Sequence, residues 1–211
     1  MTIKFQIQNN LTLQRRCINC QQDRVIATNS KDGREQFTCS GCNKTTDRAI
    51  IIDPSIKWWI DDKKVYWHQS VGAILINSEG KILLFERTRF PIATVFPAGH
   101  VDAREKPVDT FIREVKEETS ISLKPNQAIL IAHDIINNDS CRRGSDDHEW
   151  WVYAAYVSNP TVTVNRNEGI NPEWEFLDEI NTSNLPPAAK KILEKYSETI
   201  RKIIKEQSSG N

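Results

Sequence analysis

Apolar and polar positions alternate in distinct regimes along this chain. From residue 70, "SVGAILI" and "KILLFER" are nearly continuous apolar runs separated by the turn-like "NSEG". Runs of that length bounded by turn residues predict two strands joined by a turn. The period then changes. In "KPVDTFIREVKEETS", Val108, Phe111, Ile112 and Val115 fall at i, i+3, i+4 and i+7, which predicts a helix with one buried stripe. Pro107 sits where a first-turn proline is tolerated. "AILIAHDII" and "EWWVYAAYV" read as strands, with the polar loop "NNDSCRRGSDDH" between them. "PTVTV" and "EWEFL" are expected as further short strands. A last helix is expected from Ala188, with Ile192, Leu193, Tyr196, Ile200, Ile203 and Ile204 on one face, and residues 207–211 as a disordered tail. Strands mixed with few helices predict an α+β or layered α/β/α domain.

The first 52 residues follow a different rule. They carry few large apolar side chains, so burial alone does not hold them together. Cys17-x-x-Cys20 and Cys39-x-x-Cys42 stand 18 residues apart, a spacing that fits a four-cysteine Zn²⁺ site, tetrahedral, closed and structural. Metal binding would supply the missing stabilisation. "RVIAT" and "FTC" read as strands beside the two knuckles, with "SKDG" as a turn. The chain is therefore divided into a zinc ribbon (1–52), a connecting segment (53–69) and a main domain (70–206). Trp58, Trp59 and Trp67 in the connecting segment either pack the ribbon onto the domain or form a platform that stacks a base.

Composition narrows the partners. The 211 residues hold 28 basic and 28 acidic side chains, which argues against bulk electrostatic binding to nucleic acid or to an anionic membrane. No apolar run approaches the ~20 residues needed to cross a bilayer. The polar N-terminus lacks the apolar core of a signal peptide, so a cytoplasmic protein is expected. The ribbon is mildly basic, with eight basic against four acidic residues. It is read as a folding or dimerisation element, or as a contact for RNA or a protein partner; a homodimer through the amphipathic last helix also stays open.

The helix over 106–120 poses the chemical question. Glu114, Glu117 and Glu118 lie at i, i+3 and i+4 and so share one side. Their mutual repulsion raises their pKa values unless a cation sits among them, and hard oxygen ligands suit Mg²⁺ or Mn²⁺. Arg113 is placed to pair with Glu117 at i+4 or with Glu105. Gly99, Glu105 and the run Arg113-Glu114-Val115-Lys116-Glu117-Glu118-Thr119-Ser120-Ile121 resemble the Nudix box, G-x5-E-x7-R-E-U-x-E-E-x-G-U, where U is bulky and apolar. Every defined position matches except the late glycine, which is Ser120.

The resemblance implies an α/β/α sandwich around a mixed sheet, and hydrolysis of a nucleoside diphosphate linked to another group. It implies Glu114, Glu118 and Glu117 as ligands of Mg²⁺ or Mn²⁺, with the carbonyl of Ala98 beside them. Arg113 and Glu105 would orient those ligands, and Gly99 would let the backbone approach the metal. The general base is taken first as Glu117, with Asp146, Asp147, Glu149 and Glu168 open. Ser120 is expected to alter helix termination, because serine is strained at positive φ. Arg87, Arg89, Arg142 and Arg143 are candidate phosphate ligands, His148 a candidate donor and Trp150 a candidate stacking surface. Alternation puts Trp151 on the opposite face from Trp150. Cys141 is read as a bystander. A ribbon before such a domain is similar to the NADH pyrophosphatase arrangement, but that group's array after the box is absent. Two readings follow: a pyrophosphohydrolase acting on a nucleotide sugar, dinucleotide or nucleoside triphosphate, or a non-catalytic nucleotide-sensing module.

Overall fold

The computed structural model describes residues 1–7, 11–30, 34–158 and 160–209, with the backbone alone at 208 and 209. Five strands build the N-terminal part: β1 (Gln14–Cys17), β2 (Val25–Asn29), β3 (Glu35–Cys39), β4 (Lys44–Thr46) and β5 (Ala49–Ile52). The main sheet follows with β6 (Trp58–Ile60), β7 (Tyr66–Ile76), β8 (Ile82–Arg87), β9 (Thr94–Val95), β10 (Ala98–His100), β11 (Ile129–Asn137), β12 (Asp147–Tyr156) and β13 (Gly169–Glu175). Its path is β11-β12-β7-β8-β13, with β6 and β10 on β7 and β9 on β8. β7 and β12 run parallel, and the other pairs are antiparallel, so the sheet is mixed.

Why β7 reads as one apolar run is visible in what covers it. Val71, Ala73 and Leu75 pack with Leu83 under Phe111 and Val115 of α1 (Pro107–Thr119). Ile74 and Ile76, one residue out of phase, face Ile192, Leu193 and Ile200 of α2 (Pro187–Lys195) and α3 (Ser197–Ser209). Period-two alternation thus feeds two cores, one per face, and gives the three-layer α/β/α arrangement. Each fully buried side chain such as Phe111 or Ile192 contributes about 1.5–3 kcal/mol.

The ribbon splits between two supports. β2, β3 and β4 form a small sheet of their own. β1 and β5 pair with each other, and every residue of β5 is buried. Ile50 and Ile52 share a cluster with Ile3 and Tyr66, and Trp58 packs against it. Trp59 and Trp67 stack on each other with ring centroids 5.9 Å apart. The connecting segment is accordingly not a plain linker: Trp58–Ile60 and the start of β7 are strands of the main sheet.

Four expectations are corrected. "PTVTV" is not a strand among its described residues, because Thr163 and Asn165 donate their N–H groups to the carbonyls of Thr119 and Glu118 at the end of α1 instead of to a sheet neighbour. The last helix is two helices, broken at Tyr196, whose hydroxyl is held by Asp134. Residues 207–209 continue α3 instead of forming a tail, and 210–211 lie outside the described residues. Ser120 does not alter helix termination: it adopts φ 63°, ψ 7° and closes α1 by donating its N–H to the Lys116 carbonyl. Its hydroxyl bonds the Thr163 carbonyl at 3.2 Å, which offsets part of the strain. The "SKDG" turn falls mostly on residues outside the described set.

Candidate functional site

The charged side of α1 meets β10 at a cleft of about 350 Å³. Glu114, Glu117 and Glu118 all line it, with Ala98 and Gly99 opposite. A Cβ at Gly99 would lie 2.0 Å from Glu114 Oε1, so a larger residue there would displace that carboxylate. The glycine leaves the space that the carboxylate fills. Glu118 is buried, and its Oε2 accepts the Ala98 N–H at 2.9 Å. No salt bridge reaches Glu118 among the described residues.

Arg113 organises the rest. Its Nε donates to Glu105 at 3.0 and 3.1 Å, and its Nη1 to Glu114 Oε1 at 2.8 Å and Glu117 Oε2 at 3.1 Å. Nη2 reaches the His100 carbonyl at 3.3 Å, and Thr110 fixes Glu105 from the other side at 2.7 Å. Glu117 is the exposed member of the trio, at 57%. Burial pushes the Glu114 carboxyl up to about 7, outweighing the Arg113 ion pair. Burial, and then the neighbouring Glu114 charge, push Glu118 well above the usual carboxylate range. A buried acid and a largely buried one, each disfavoured as an anion by burial and by neighbouring carboxylates, on a helix anchored in the core, are the chemistry of a cation site.

The other candidates divide sharply. Arg87 lines the cleft, and its guanidinium has no hydrogen bond or ion pair among the described residues. Arg89 pairs with Glu168 at 3.0 Å, and both line the cleft. Arg142 and Arg143 also line it, but their guanidinium groups are held by Glu35 and Asp53, and their carbonyls accept the N–H groups of Ala49 and Ile51. They stitch the 138–146 loop to β5. Gly144 allows that approach, since a Cβ there would sit 2.6 Å from the Ala49 carbonyl oxygen.

Trp150 is buried, with its indole N–H donated to Asp139 at 3.0 Å, while Trp151 stacks on His133 on the other face. Of the later carboxylates, Asp146 is held by Arg48 at 2.5 Å, Asp147 by the N-terminal amine at 3.2 Å, and Glu149 by His133 and Gln69. Only Glu168 of these four lines the cleft.

Among the described residues, two sets of possible metal ligands lie outside the carboxylates. Cys17, Cys20, Cys39 and Cys42 bring their sulfurs together, with Sγ–Sγ distances of 3.6 Å (Cys17–Cys42) and 3.7 Å (Cys20–Cys39). Gln21 and Asn43, each following the second cysteine of a pair, have positive φ and shape matching knuckles. The second set is His68, His100, Cys141 and His148. Sequence reasoning singled out only His148 and set Cys141 aside. The missed signal is register: His68 and His148 are directly paired across β7 and β12, and His100 lies opposite Ser70 on the other side of β7.

The NUDIX domain family model matches residues 66–196. An uncharacterised Nudix hydrolase of Clostridium acetobutylicum is 28% identical over 130 residues, covering 56% of this chain and 61% of that protein. An RNA pyrophosphohydrolase of Cereibacter sphaeroides is 35% identical over 81 residues, covering 38% of this chain and 50% of the relative. The chain thus spans between half and two thirds of the length of these curated relatives. Among solved structures, the NUDIX domain of Shewanella oneidensis NrtR, complexed with ADP ribose, superposes with a TM-score of 0.54 at 18% identity, covering 63% of this chain and 88% of that one. At that identity the likeness concerns the fold alone.

Proposed function

The chain belongs to the Nudix family, and on that premise we propose that it hydrolyses a diphosphate linkage in a nucleoside diphosphate derivative with the help of Mg²⁺ or Mn²⁺. The observation that carries this reading is the Glu114–Glu118 pair, one largely withdrawn from solvent and one buried, which has one arginine contact between the two carboxylates and a glycine cradle beside them. That donor set fits a hard divalent cation. Glu114 and Glu118 are the principal ligands, with the Ala98 carbonyl and the more exposed Glu117 beside them. When bound, such a cation neutralises the diphosphate and acidifies water.

The chain's own residues do the remaining work. Arg113, tied to Glu105, holds Glu114 in one rotamer. Arg87 binds a phosphate oxygen with its unpaired guanidinium. Arg89 joins it by releasing Glu168, which leaves that carboxylate able to accept a proton from the attacking water. Glu117 and Glu168 are the two candidates for this base, because Asp146, Asp147 and Glu149 are bound elsewhere. Glu117→Gln and Glu168→Gln separate them: the variant that loses the base loses the acidic limb of the kcat–pH profile. The four cysteines hold Zn²⁺, and the ribbon's role is to carry β5, which backs the 138–146 loop.

A panel of nucleotide sugars, dinucleotides, nucleoside triphosphates and RNA, assayed with Mg²⁺ or Mn²⁺, tests the reading. At least one compound is expected to be cleaved at its diphosphate by the wild type and not by Glu118→Gln. Nucleotide binding without turnover of any member would replace the enzyme with a nucleotide-sensing module.

A further inference from the structure

Three of the chain's four histidines converge on one point with a cysteine. His68 and His148 face each other from β7 and β12, His100 ends β10, and Cys141 comes from the loop that docks on β5. Their donor atoms all lie within 4.8 Å of one another. His68 Nδ1 is 3.1 Å from His100 Nε2 and 3.5 Å from Cys141 Sγ. A tetrahedron with Zn–N near 2.0–2.1 Å and Zn–S near 2.3 Å has edges of about 3.3 Å (N–N) and about 3.6 Å (N–S). The sulfurs of the ribbon, at 3.6 and 3.7 Å, sit as close to their own expected edge of about 3.8 Å.

Hydrogen bonding explains the cluster poorly. His68 is fully buried and its Nε2 has no partner, while its Nδ1 is shared between two neighbours. His148 is equally buried. Its Nδ1 lies 3.1 Å from Asp139 Oδ2 without the alignment of a hydrogen bond. A carboxylate beside the ring is the usual companion of a metal-bound histidine. A Cys–His pair acting as nucleophile and base would need one imidazole, not three. Three imidazoles with a thiolate match the nitrogen and sulfur preference of Zn²⁺.

We propose that His68, His100, Cys141 and His148 form a second tetrahedral Zn²⁺ site, distinct from both the ribbon and the carboxylate cluster. It pins the 138–146 loop to the main sheet. It also ties β10, which carries Ala98 and Gly99, to the loop that holds the ribbon through Arg142 and Arg143. With four protein ligands the site is closed, and its role is to fix the wall of the cleft.

The test is zinc content and coordination in the full-length chain, purified after growth with added Zn²⁺. Two zinc ions per chain are expected, falling to one in Cys141→Ser and in His148→Asn, with the ribbon's zinc retained. X-ray absorption at the zinc edge of the wild type needs no variant: two sites give an average of about 2.5 sulfurs and 1.5 nitrogens per zinc. One zinc per chain with sulfur ligands alone would overturn the proposal. So would two zinc ions whose count is unchanged in both variants.

Discussion

The Nudix box and the zinc ribbon both gather acidic ligand groups, but they do so by opposite means. Glu114 and Glu118 project from a helix whose other side is sealed into the core by Phe111 and Val115; Arg113, tied to Glu105, clamps Glu114, and the Ala98 N–H holds Glu118. Their positions are set by packing before any ion arrives. The cysteines sit on knuckles at the ends of short strands, and β2–β4 bury little beyond Phe37, Cys39 and Val25. There the proposed Zn²⁺ would itself serve as the core. A site that must release and rebind its cation needs a scaffold that survives without it; a site that never opens can use the cation as its scaffold. β5 lies between these cases, since it leans on Tyr66 and Ile3 as well as on β1.

The largest effect that would break this contrast is metal removal. Structural zinc in small units supplies about 10–16 kcal/mol of apparent binding free energy. Stripping the chain with a strong chelator is expected to erase hydrogen-exchange protection in β2, β3 and β4 while the amides of α1 keep theirs. Loss of protection in α1 to the same degree would refute the idea that the box is pre-built. Next comes Gly99→Ala. Its Cβ would occupy the place of the Glu114 carboxylate. Turnover is expected to fall roughly 10–100-fold, with weaker apparent affinity for Mg²⁺ and little change in thermal midpoint.

A pH titration of the chain with zinc but without Mg²⁺ sharpens the electrostatic side. The Glu114 carboxyl is raised by burial from 4.5 to about 7 in the fold. Its contribution to stability is therefore complete below pH 4.5 and is lost as pH rises through 7. The thermal midpoint should drop over that interval, by the equivalent of about 3 kcal/mol, and Mg²⁺ should reverse the drop. The smallest effect is Ser120→Gly. Relieving φ 63° at a non-glycine residue is expected to add about 0.5–1 kcal/mol, net of the lost bond to Thr163, with activity unchanged.

The same contrast governs what could be read from the chain itself. The box helix and the apolar strands β7, β8 and β12 are written locally, in periods of 3.6 and 2. So are the two CxxC knuckles. The histidine–cysteine cluster is not, because His68 and His148 meet only when β12 lies parallel beside β7, and no local pattern names a strand's neighbour. The break at Tyr196 was hidden by an apolar stripe that continues across it. "PTVTV" has strand composition, yet the Thr163 amide is taken by the Thr119 carbonyl and that of the following Asn165 by Glu118, a choice set by tertiary contact. Arg142 and Arg143 looked available for phosphate only because their partners, Glu35 and Asp53, lie some 90 or more residues away.

Mn²⁺ binding to the zinc-loaded chain, counted by electron paramagnetic resonance with a non-hydrolysable nucleoside diphosphate analogue present, tests the carboxylate site most directly. Wild-type protein should bind Mn²⁺ beyond what the analogue alone retains, and Glu118→Gln should weaken that binding at least about tenfold, equivalent to 1.4 kcal/mol, while α1 stays folded. Equal Mn²⁺ affinity in the two proteins would contradict the assignment of the buried glutamates as the coordination sphere.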